Sequence, residues 1–546
     1  MTSWAIISIL LAAGFAFWRI GRRTRFFLHM MQLSGYRVRP FSEFLRGKLF
    51  DVRLRLSHGL GALWLILVLG LKPEGDGWLI LLGLLWAFTF ASSRRYRRDR
   101  PKKNLAWTAR MKRLTGVTVL LLLLPVLLTA LITSTVQDLS TVFTFAGWLV
   151  GLWLADLGAP EAVRLAARLT TPFERRIHDG FKAAAEARLA ERTDLYHVAI
   201  TGSYGKTSVK HAIRAVLAQR YPVLMTPGSY NTPMGISKVI NDQLGDDHRF
   251  LVLEMGMRHP GDIAELAVLA PPDIAVITSI GVAHLESMGS IKAIACEKLT
   301  LLDHIREGGT AVLNGDDVRV ASATTRKDVK RIVVATTPGT ADLWAENIQY
   351  GAEGAVFDVV DRSGDRLQVA TRLLGQHNVL NILLALGVGR AAGLRLRQAV
   401  HGITHLDPVP HRLALRIENG VNVIDDAFNA NPVGAKHAVD VLSAFDRGRR
   451  VIITPGMIEL GEEESALNKA FGIQIASAAD DAILVGPERT LPIKEGLLEA
   501  GFKENQIHTV TTLFEAQEWV AQHCKPGDTV LYENDLPDQF TEGGSP

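Results

Sequence analysis

Cysteine is scarce: Cys296 and Cys524 are the two in 546 residues. That excludes a disulfide framework and a CxxC metal site. Cys296 lies in a helix-like stretch and is expected to be a small buried residue. The marks of a cleaved secretory leader are also missing. No basic segment precedes the first apolar run, Arg19 stands at its end, and no small-residue cleavage site follows. A second nucleotide motif and a transport-ATPase signature are absent as well, which counts against a transport or signalling motor. Net charge is small, +4, but unevenly placed: residues 1–113 hold 21 Lys+Arg against 5 Asp+Glu. A basic front half can mean nucleic acid. Here the basic runs sit between apolar segments, so the expected partner is anionic lipid headgroups and not nucleic acid.

What the chain does have is apolar sequence, 48% of the total with a mean hydropathy of +0.15. The excess is local. Five stretches precede residue 158: Trp4–Ile20, Leu56–Leu71, Gly77–Ala91, Leu114–Ile132 and Leu139–Ala155. A helix needs about 20 residues to span a bilayer. The fourth stretch meets this, whereas the second and third are short enough for a tight helical hairpin with snorkelling arginines. Loops 21–55 and 92–113 are rich in Arg and Lys, and loops 72–76 and 133–138 hold only Lys72 as a base. By the positive-inside rule, five crossings put both basic loops and everything after residue 157 in the cytoplasm. Residues 1–157 are thus expected to be a multi-pass module of the cytoplasmic membrane. The spans are expected to carry no intramembrane acid or base to mark an ion path. Residues 26–50 suit an interfacial segment, and 158–194 read as a connecting helix.

From Leu195 short apolar strands alternate with helices. "YHVAI", "FLVLEM", "IAVITSI", "TAVLN" and "RIVVAT" read as strands of a mainly parallel sheet covered on both faces, an α/β fold. At the first strand-to-helix switch stands "TGSYGKTS". Its Gly202, Ser203, Gly205, Lys206, Thr207 and Ser208 form a phosphate cradle at a helix N-terminus. Lys206 would bridge the β- and γ-phosphates and Thr207 would offer its hydroxyl to Mg²⁺. The motif is not a full GxxxxGK[ST], because Ile200 occupies the position of the first glycine.

Further stretches follow: "GSYNTPMGI" (228–236), "LEMGMRHPGDIAEL" (253–266), "GVAHLESMGSIKAIACEKL" (281–299), "GQHNVLNILLAL" (375–386) and "DDAFNANP" (425–432). With this set the chain resembles the Mur ligase family, ATP-dependent amide ligases of cell-wall peptide synthesis. Within it the likeness is to the branch that adds D-alanyl-D-alanine to a UDP-N-acetylmuramoyl-tripeptide. It covers about 195–546, with the motifs in family order.

The resemblance implies roles. Glu254 would share a Mg²⁺ with Thr207. His284 would hold a second Mg²⁺. Lys298, fourteen residues later, would react with CO₂ to form a carbamate that also binds this metal. His377, Asn378 and Asn381 match the segment that holds adenine, and Arg412, Asp425 and Asp426 the residues around the ATP ribose and phosphates. Phe428 stands where a tyrosine is common, and Asn429 and Asn431 would order the loop. Lys206, His284 and Lys298 are the catalytic candidates.

The implied architecture is a central ATP-binding domain at 195–401 with a small β-insert at 342–373, a linker at 402–413, and a Rossmann-like C-terminal domain at 414–546. The implied reaction passes through an acyl phosphate. Two departures stand out. The usual N-terminal domain that grips the UDP-sugar is replaced by the membrane module, which suggests a UDP- or lipid-linked acceptor at the membrane, joined to an amino acid or dipeptide. The stretches "TPGMIELGEEE" (454–464) and "LYENDLPDQ" (531–539) map onto no known contact. The rivals are a poly-γ-glutamate synthetase-like ligase, a membrane transport or signalling ATPase, and a catalytically dead scaffold.

Overall fold

The computed structural model describes residues 2–46, 56–71, 74–92, 105–136, 140–428, 430–458 and 460–535. Lys72, the basic residues expected at 93–104, Asn429 and the end of the 531–539 stretch lie outside the described residues. The described chain divides into two compact units that part between Ile177 and His178.

The first unit is helical: α1 (Ser3–Leu33), α2 (Val38–Arg46), α3 (Leu56–Leu71), α4 (Asp76–Ala91), α5 (Ala109–Thr135) and α6 (Thr141–Ala190), the last of which runs on into the second unit. Thr2 and Thr108 cap α1 and α5, each accepting a hydrogen bond from the third residue on. Small residues let α1 and α4 approach closely. Ala5, Ala12 and Ala16 are buried, and a Cβ on Gly83 would lie 2.8 Å from the Ser8 carbonyl carbon. Large apolar side chains face outward instead, among them Leu10, Phe17, Leu69, Phe88, Leu120 and Leu127. By length and composition α1, α5 and α6 can cross a membrane, and α3 and α4 are shorter apolar helices.

One expectation fails in this unit. The apolar stretches do hold buried ionisable groups. Arg19 and His58 converge on Asp156, with Arg19 Nη2 at 2.9 Å and His58 Nε2 at 2.8 Å from its Oδ2. Arg19 also donates to the Thr89 carbonyl at 3.0 Å. Each lies near an end of its apolar run, so the sequence shows no charged patch. The stretch read as a connecting helix is helical as far as Ala190, and it continues the fifth apolar stretch as one element, α6, of 50 residues with Pro160 and Pro172 inside. Each proline removes one N–H, and the Ala, Leu, Arg and Glu around them are strong helix formers that keep the rest of the ladder.

The second unit holds two sheets. The larger is built from β1 (Tyr196–Thr201), β2 (Val223–Met225), β3 (Phe250–Glu254), β4 (Ile274–Ile277), β5 (Thr310–Asn314), β6 (Lys330–Ala335), β7 (Leu343–Gly351), β8 (Gly354–Asp361) and β9 (Arg366–Thr371). Its order is β2-β3-β1-β4-β5-β6-β7-β8-β9. Pairing is parallel up to β7 and antiparallel from β7 to β9. The expected β-insert therefore extends the main sheet. Strands β1 to β5 are almost wholly apolar because helices cover both faces.

The smaller sheet, β10 (Ala414–Glu418), β11 (Val421–Asp426), β12 (Arg450–Thr454), β13 (Asp481–Val485), β14 (Ile507–Val510) and β15 (Thr529–Glu533), has the order β10-β11-β15-β12-β13-β14. It is parallel except for β10. The last turns of α6 pack into the core of the second unit through Ala185 and Leu189. There Arg188 donates to the carbonyls of Asn241 and Leu244, which end the helix Pro233–Gln243.

Cys296 is exposed, contrary to expectation. On the helix Ile291–Leu299 it is Glu297 and Lys298 that turn inward, and residues one or two apart on a helix face different ways.

Candidate active site

Strand β1 delivers the chain to Gly202 at the carboxyl edge of the larger sheet, and α7 (Lys206–Leu217) leaves from Gly205. No side chain fits at either glycine. A Cβ on Gly202 would lie 1.8 Å from Thr278 Oγ1, and one on Gly205, at φ +80°, would lie 2.6 Å from Asn381 Oδ1. The loop is fixed from the β4 side. Ser203 N donates to Ser279 O at 2.7 Å, and the Ser203 hydroxyl exchanges hydrogen bonds with Gly281 N and O at 2.8 and 3.1 Å. Ser203 thus serves the shape of the loop. Ser208 follows in the first turn of α7, half-buried.

Two ammonium groups converge on one carbonyl. Lys206 Nζ donates to Gly202 O at 2.6 Å and Lys298 Nζ to the same oxygen at 3.0 Å. Burial lowers the Lys206 pKa, and the nearby Arg412 adds to this. Lys298 is 1% exposed. Burial, then the charge of Lys206, hold its pKa well below a lysine's ordinary value. His284 stands at φ +67° before the short helix Leu285–Met288. Its imidazole is pushed down to about 4 by burial, then by Lys206 and Lys298.

Glu254 ends β3, which pairs directly with β1. The Thr207 hydroxyl donates to Glu254 Oε2 at 3.0 Å, so the two expected partners do meet. Burial alone would raise this carboxyl, but Lys210 and then Lys206 hold it below the usual range. Two neighbours were not singled out from sequence. Lys210 Nζ lies 3.1 Å from Glu254 Oε2, and Asn231 Nδ2 lies 3.1 Å from Oε1. The available signal was spacing: Lys210 follows Thr207 by three residues, on the same face of α7.

On the other side, Asn378 and Asn381 are buried and linked. Asn381 Nδ2 donates to Asn378 Oδ1 at 2.8 Å, and Asn378 Nδ2 to Leu374 O at 2.7 Å. Among the described residues His377 Nδ1, which is buried, has no hydrogen-bond partner. Its ring lies 5.0 Å from that of His437, tilted by 36°. The Arg412 guanidinium sits 4.2 Å above the Phe428 ring. Asp426 accepts from Leu413 N at 3.2 Å, and burial, against Arg412, pushes its carboxyl up to about 6. Asp425 is turned elsewhere: His411 and Arg416 each bind its Oδ2 at 2.9 Å. Asn431 caps the helix Pro432–Ser443 by accepting from Gly434 N at 2.9 Å.

The two unassigned stretches meet in space. Thr454 donates to Glu533 Oε2 at 3.1 Å, and Asn534 Nδ2 to Gly456 O at 2.7 Å. In the described residues no group of three or more His, Cys, Asp and Glu converges to hold a metal.

Known proteins share this arrangement. Residues 200–389 match the Mur ligase middle domain and 411–532 the Mur ligase, glutamate ligase domain. The UDP-N-acetylmuramoyl-tripeptide–D-alanyl-D-alanine ligase of Bacillus subtilis is 29% identical over 62% of this chain and 72% of its own length. That of Synechocystis is 32% identical over 62% of this chain and 71% of its own. That of Mycobacterium tuberculosis is 33% identical, but this chain spans only 65% of it. Among solved structures, MurF from Thermotoga maritima in complex with ADP has a TM-score of 0.59 at 26% identity, covering 66% of this chain and 80% of that one. MurF from Acinetobacter baumannii has a TM-score of 0.60 at 24% identity, with 66% and 78% covered. Together with the loop, the strand-end acid and the two sheets, these likenesses establish that the chain belongs to the Mur ligase family of ATP-dependent ligases.

Proposed function

We propose that this chain joins D-alanyl-D-alanine, or a related amine, to the carboxylate of a UDP- or lipid-linked cell-wall peptide. In this reading the helical unit anchors it in the cytoplasmic membrane, with the catalytic unit in the cytoplasm. The observation that carries the ligase reading is the glycine loop. It lacks room for side chains and is ringed by Lys206, Lys298, Thr207 and Glu254, a setting for an anion with its counter-cations. The membrane reading rests on the outward apolar side chains of α1, α3, α4 and α5.

The loop N–H groups and Lys206 would bind the ATP phosphates. Asn378, Asn381 and the orphaned Nδ1 of His377 would receive the adenine, and Arg412 and Asp426 would close over the nucleotide from the second sheet. Asp425 is assigned to the His411–Arg416 pair, not to ATP. The oxygens of Thr207 and Glu254 fit Mg²⁺, a hard cation that takes oxygen ligands, and would hold one ion; a carbamate oxygen on a modified Lys298 would hold the second, with the His284 imidazole nitrogen beside it. Bound there, the ions supply charge neutralisation for phosphoryl transfer.

An ammonium cannot ligate a cation. The depressed pKa of Lys298 makes its neutral amine accessible, and that nitrogen can attack the carbon of CO₂, form an N–C bond and shed a proton. The product is an anionic carbamate.

Chemistry then proceeds in two steps. A carboxylate oxygen of the acceptor attacks the γ-phosphorus, the bond to the β,γ-bridging oxygen breaks, and ADP leaves an acyl phosphate. The amine nitrogen attacks the acyl carbon, the C–O bond breaks, phosphate departs, and the nitrogen loses a proton to give the amide. Lys206 stays on the phosphoryl oxygens throughout, and the protein contributes positioning and preorganised charge.

Phosphate release by the full-length protein tests the proposal. It should require ATP, Mg²⁺, a UDP-muramoyl tripeptide and D-alanyl-D-alanine together. Release driven by glutamate would move the assignment to the poly-γ-glutamate type. Release without any acceptor would favour an ATPase.

A further inference from the structure

Lys210 is fully buried in the second turn of α7. Its ammonium donates to Glu254 Oε2 at 3.1 Å and to Gly228 O at 2.5 Å. Thr207 Oγ1 holds the same Oε2 at 3.0 Å, and Asn231 Nδ2 holds Oε1 at 3.1 Å. The Glu254 N–H is itself donated to Thr226 Oγ1 at 3.2 Å. One lysine therefore ties together three separate pieces of chain: the helix behind the phosphate loop, the segment 226–231 and the end of β3. An apolar side chain of that length would fill the space without desolvating a charge, so space-filling alone does not explain a lysine here.

We infer that Lys210 is a positioning residue for a divalent-cation site at Thr207 and Glu254, fixing the plane of the carboxylate and the loop that carries its third donor, Asn231. The inference rests on the reading of Thr207 and Glu254 as Mg²⁺ ligands. The contacts of the Lys210 ammonium are with the protein, Gly228 O and Glu254 Oε2. Lys210 acts through Glu254, as outer-shell partners do when they orient a ligand.

Geometry and charge predict opposite signs. If Lys210 were only a nearby positive charge, removing it would tighten cation binding, since like charges repel. If it holds the carboxylate in place, removing it weakens binding. The experiment titrates Mn²⁺ into the full-length protein with ADP present, reads free Mn²⁺ by electron paramagnetic resonance, and follows thermal unfolding of each variant. Lys210→Met should weaken Mn²⁺ binding by about 10- to 100-fold with ADP affinity unchanged. Lys210→Gln keeps an N–H donor without the charge and should fall between Met and the parent. Unchanged or tighter Mn²⁺ binding in a folded Lys210→Met protein overturns the inference, whether or not its Tm drops. If the methionine variant does not fold, the glutamine variant is judged by the same criterion. Glu254→Gln separates the two claims: Mn²⁺ binding equal to the parent there overturns the cation site itself, and the role of Lys210 with it.

Discussion

The two units differ in what they turn outward. The helical unit buries Trp86, Phe27 and Phe90 together with small residues such as Ala5, Ser8, Ala12 and Ala16, and it turns Leu10, Phe17, Leu120 and Leu127 out. The α/β unit buries Val198, Ile200, Leu251 and Val276 and exposes most of its charges. Large apolar side chains outside, with small residues where α1 and α4 approach closely, suit a lipid solvent.

Both units also bury charge, in different ways. In the helical unit one carboxylate, Asp156, accepts from Arg19 and His58, so the acid and the bases meet directly. At the phosphate loop Lys206 and Lys298 crowd onto a neutral carbonyl oxygen instead. In the first arrangement an acid of the fold already faces the bases. Under the proposed function the second would be completed by an incoming anion.

The largest expected effect breaks the second arrangement. Lys206→Ala and Lys298→Ala should each lower kcat by about 10³-fold or more, as loss of a group that stabilises transferring charge does. The Tm of each variant is followed alongside, so that a folded protein without turnover is told apart from an unfolded one. Arginine at 298 should not rescue, since a guanidinium forms no carbamate, whereas acetate should partly restore the alanine variant. Full turnover in either Lys298 variant would remove the carbamate from the mechanism.

The helical unit should respond in stability and not in rate. Asp156→Ala leaves buried bases without their acid and should cost about 3–5 kcal/mol, read as unfolding of the full chain in detergent micelles. Turnover at 25 °C should stay near the parent value. A fold-intact Asp156→Ala protein without turnover would mean that the helical cluster takes part in the chemistry.

This contrast was half legible in the sequence. The strands β1, β3, β4, β5 and β6 and the loop at 202–207 could be read because parallel strands are continuous apolar runs bounded by glycine and polar turns. Strands β2, β10 and β14, three to five residues long, carry too little pattern. Arg19, His58 and Asp156 were overlooked because each sits alone in its own segment, and their meeting exists only in three dimensions. The same holds for Lys210, whose partner Glu254 lies 44 residues away. The Thr207–Glu254 contact could be anticipated, because Glu254 ends a strand at the same sheet edge as the loop that leads to Thr207. The turn of Asp425 toward Arg416 could not, since an Asp-Asp pair does not show which member faces the ligand.

A backbone change should sit between these extremes. Gly205→Ala places a methyl at φ +80° and 2.6 Å from Asn381 Oδ1. The left-handed conformation alone costs about 1–2 kcal/mol, and the displaced Asn381 should raise the KM for ATP more than it lowers kcat. An unchanged KM would show that the loop does not touch the nucleotide.

Titration sharpens the comparison further. Burial, then His437 and Arg412, push His377 down to about 3, against about 6.5 in an unfolded chain. Between those values the unfolded chain holds a proton that the folded one does not. This contribution to stability is therefore lost as pH falls from about 6.5 toward 3. His377→Gln should lose less stability than the parent between pH 7 and pH 5, as followed by thermal unfolding. An identical pH slope in the two proteins would place the histidine in water.

Phe428 should have the smallest effect. It is 47% exposed, so truncating it removes little buried area. Its one specific contact is the Arg412 guanidinium 4.2 Å above the ring, and such a pair at an exposed site contributes about 0.5–1 kcal/mol. Arg412 is itself tethered electrostatically to Asp426, so losing the ring loosens the guanidinium without freeing it. Phe428→Ala should thus raise the KM for ATP by about 2- to 5-fold, the same energy expressed as a ratio, and leave kcat and Tm as they were. Phe428→Tyr keeps the ring and should match the parent in KM. A much larger loss in the alanine variant would mean that the ring stacks on the nucleotide itself, and that the second sheet contributes a base-binding surface as well as a charged one.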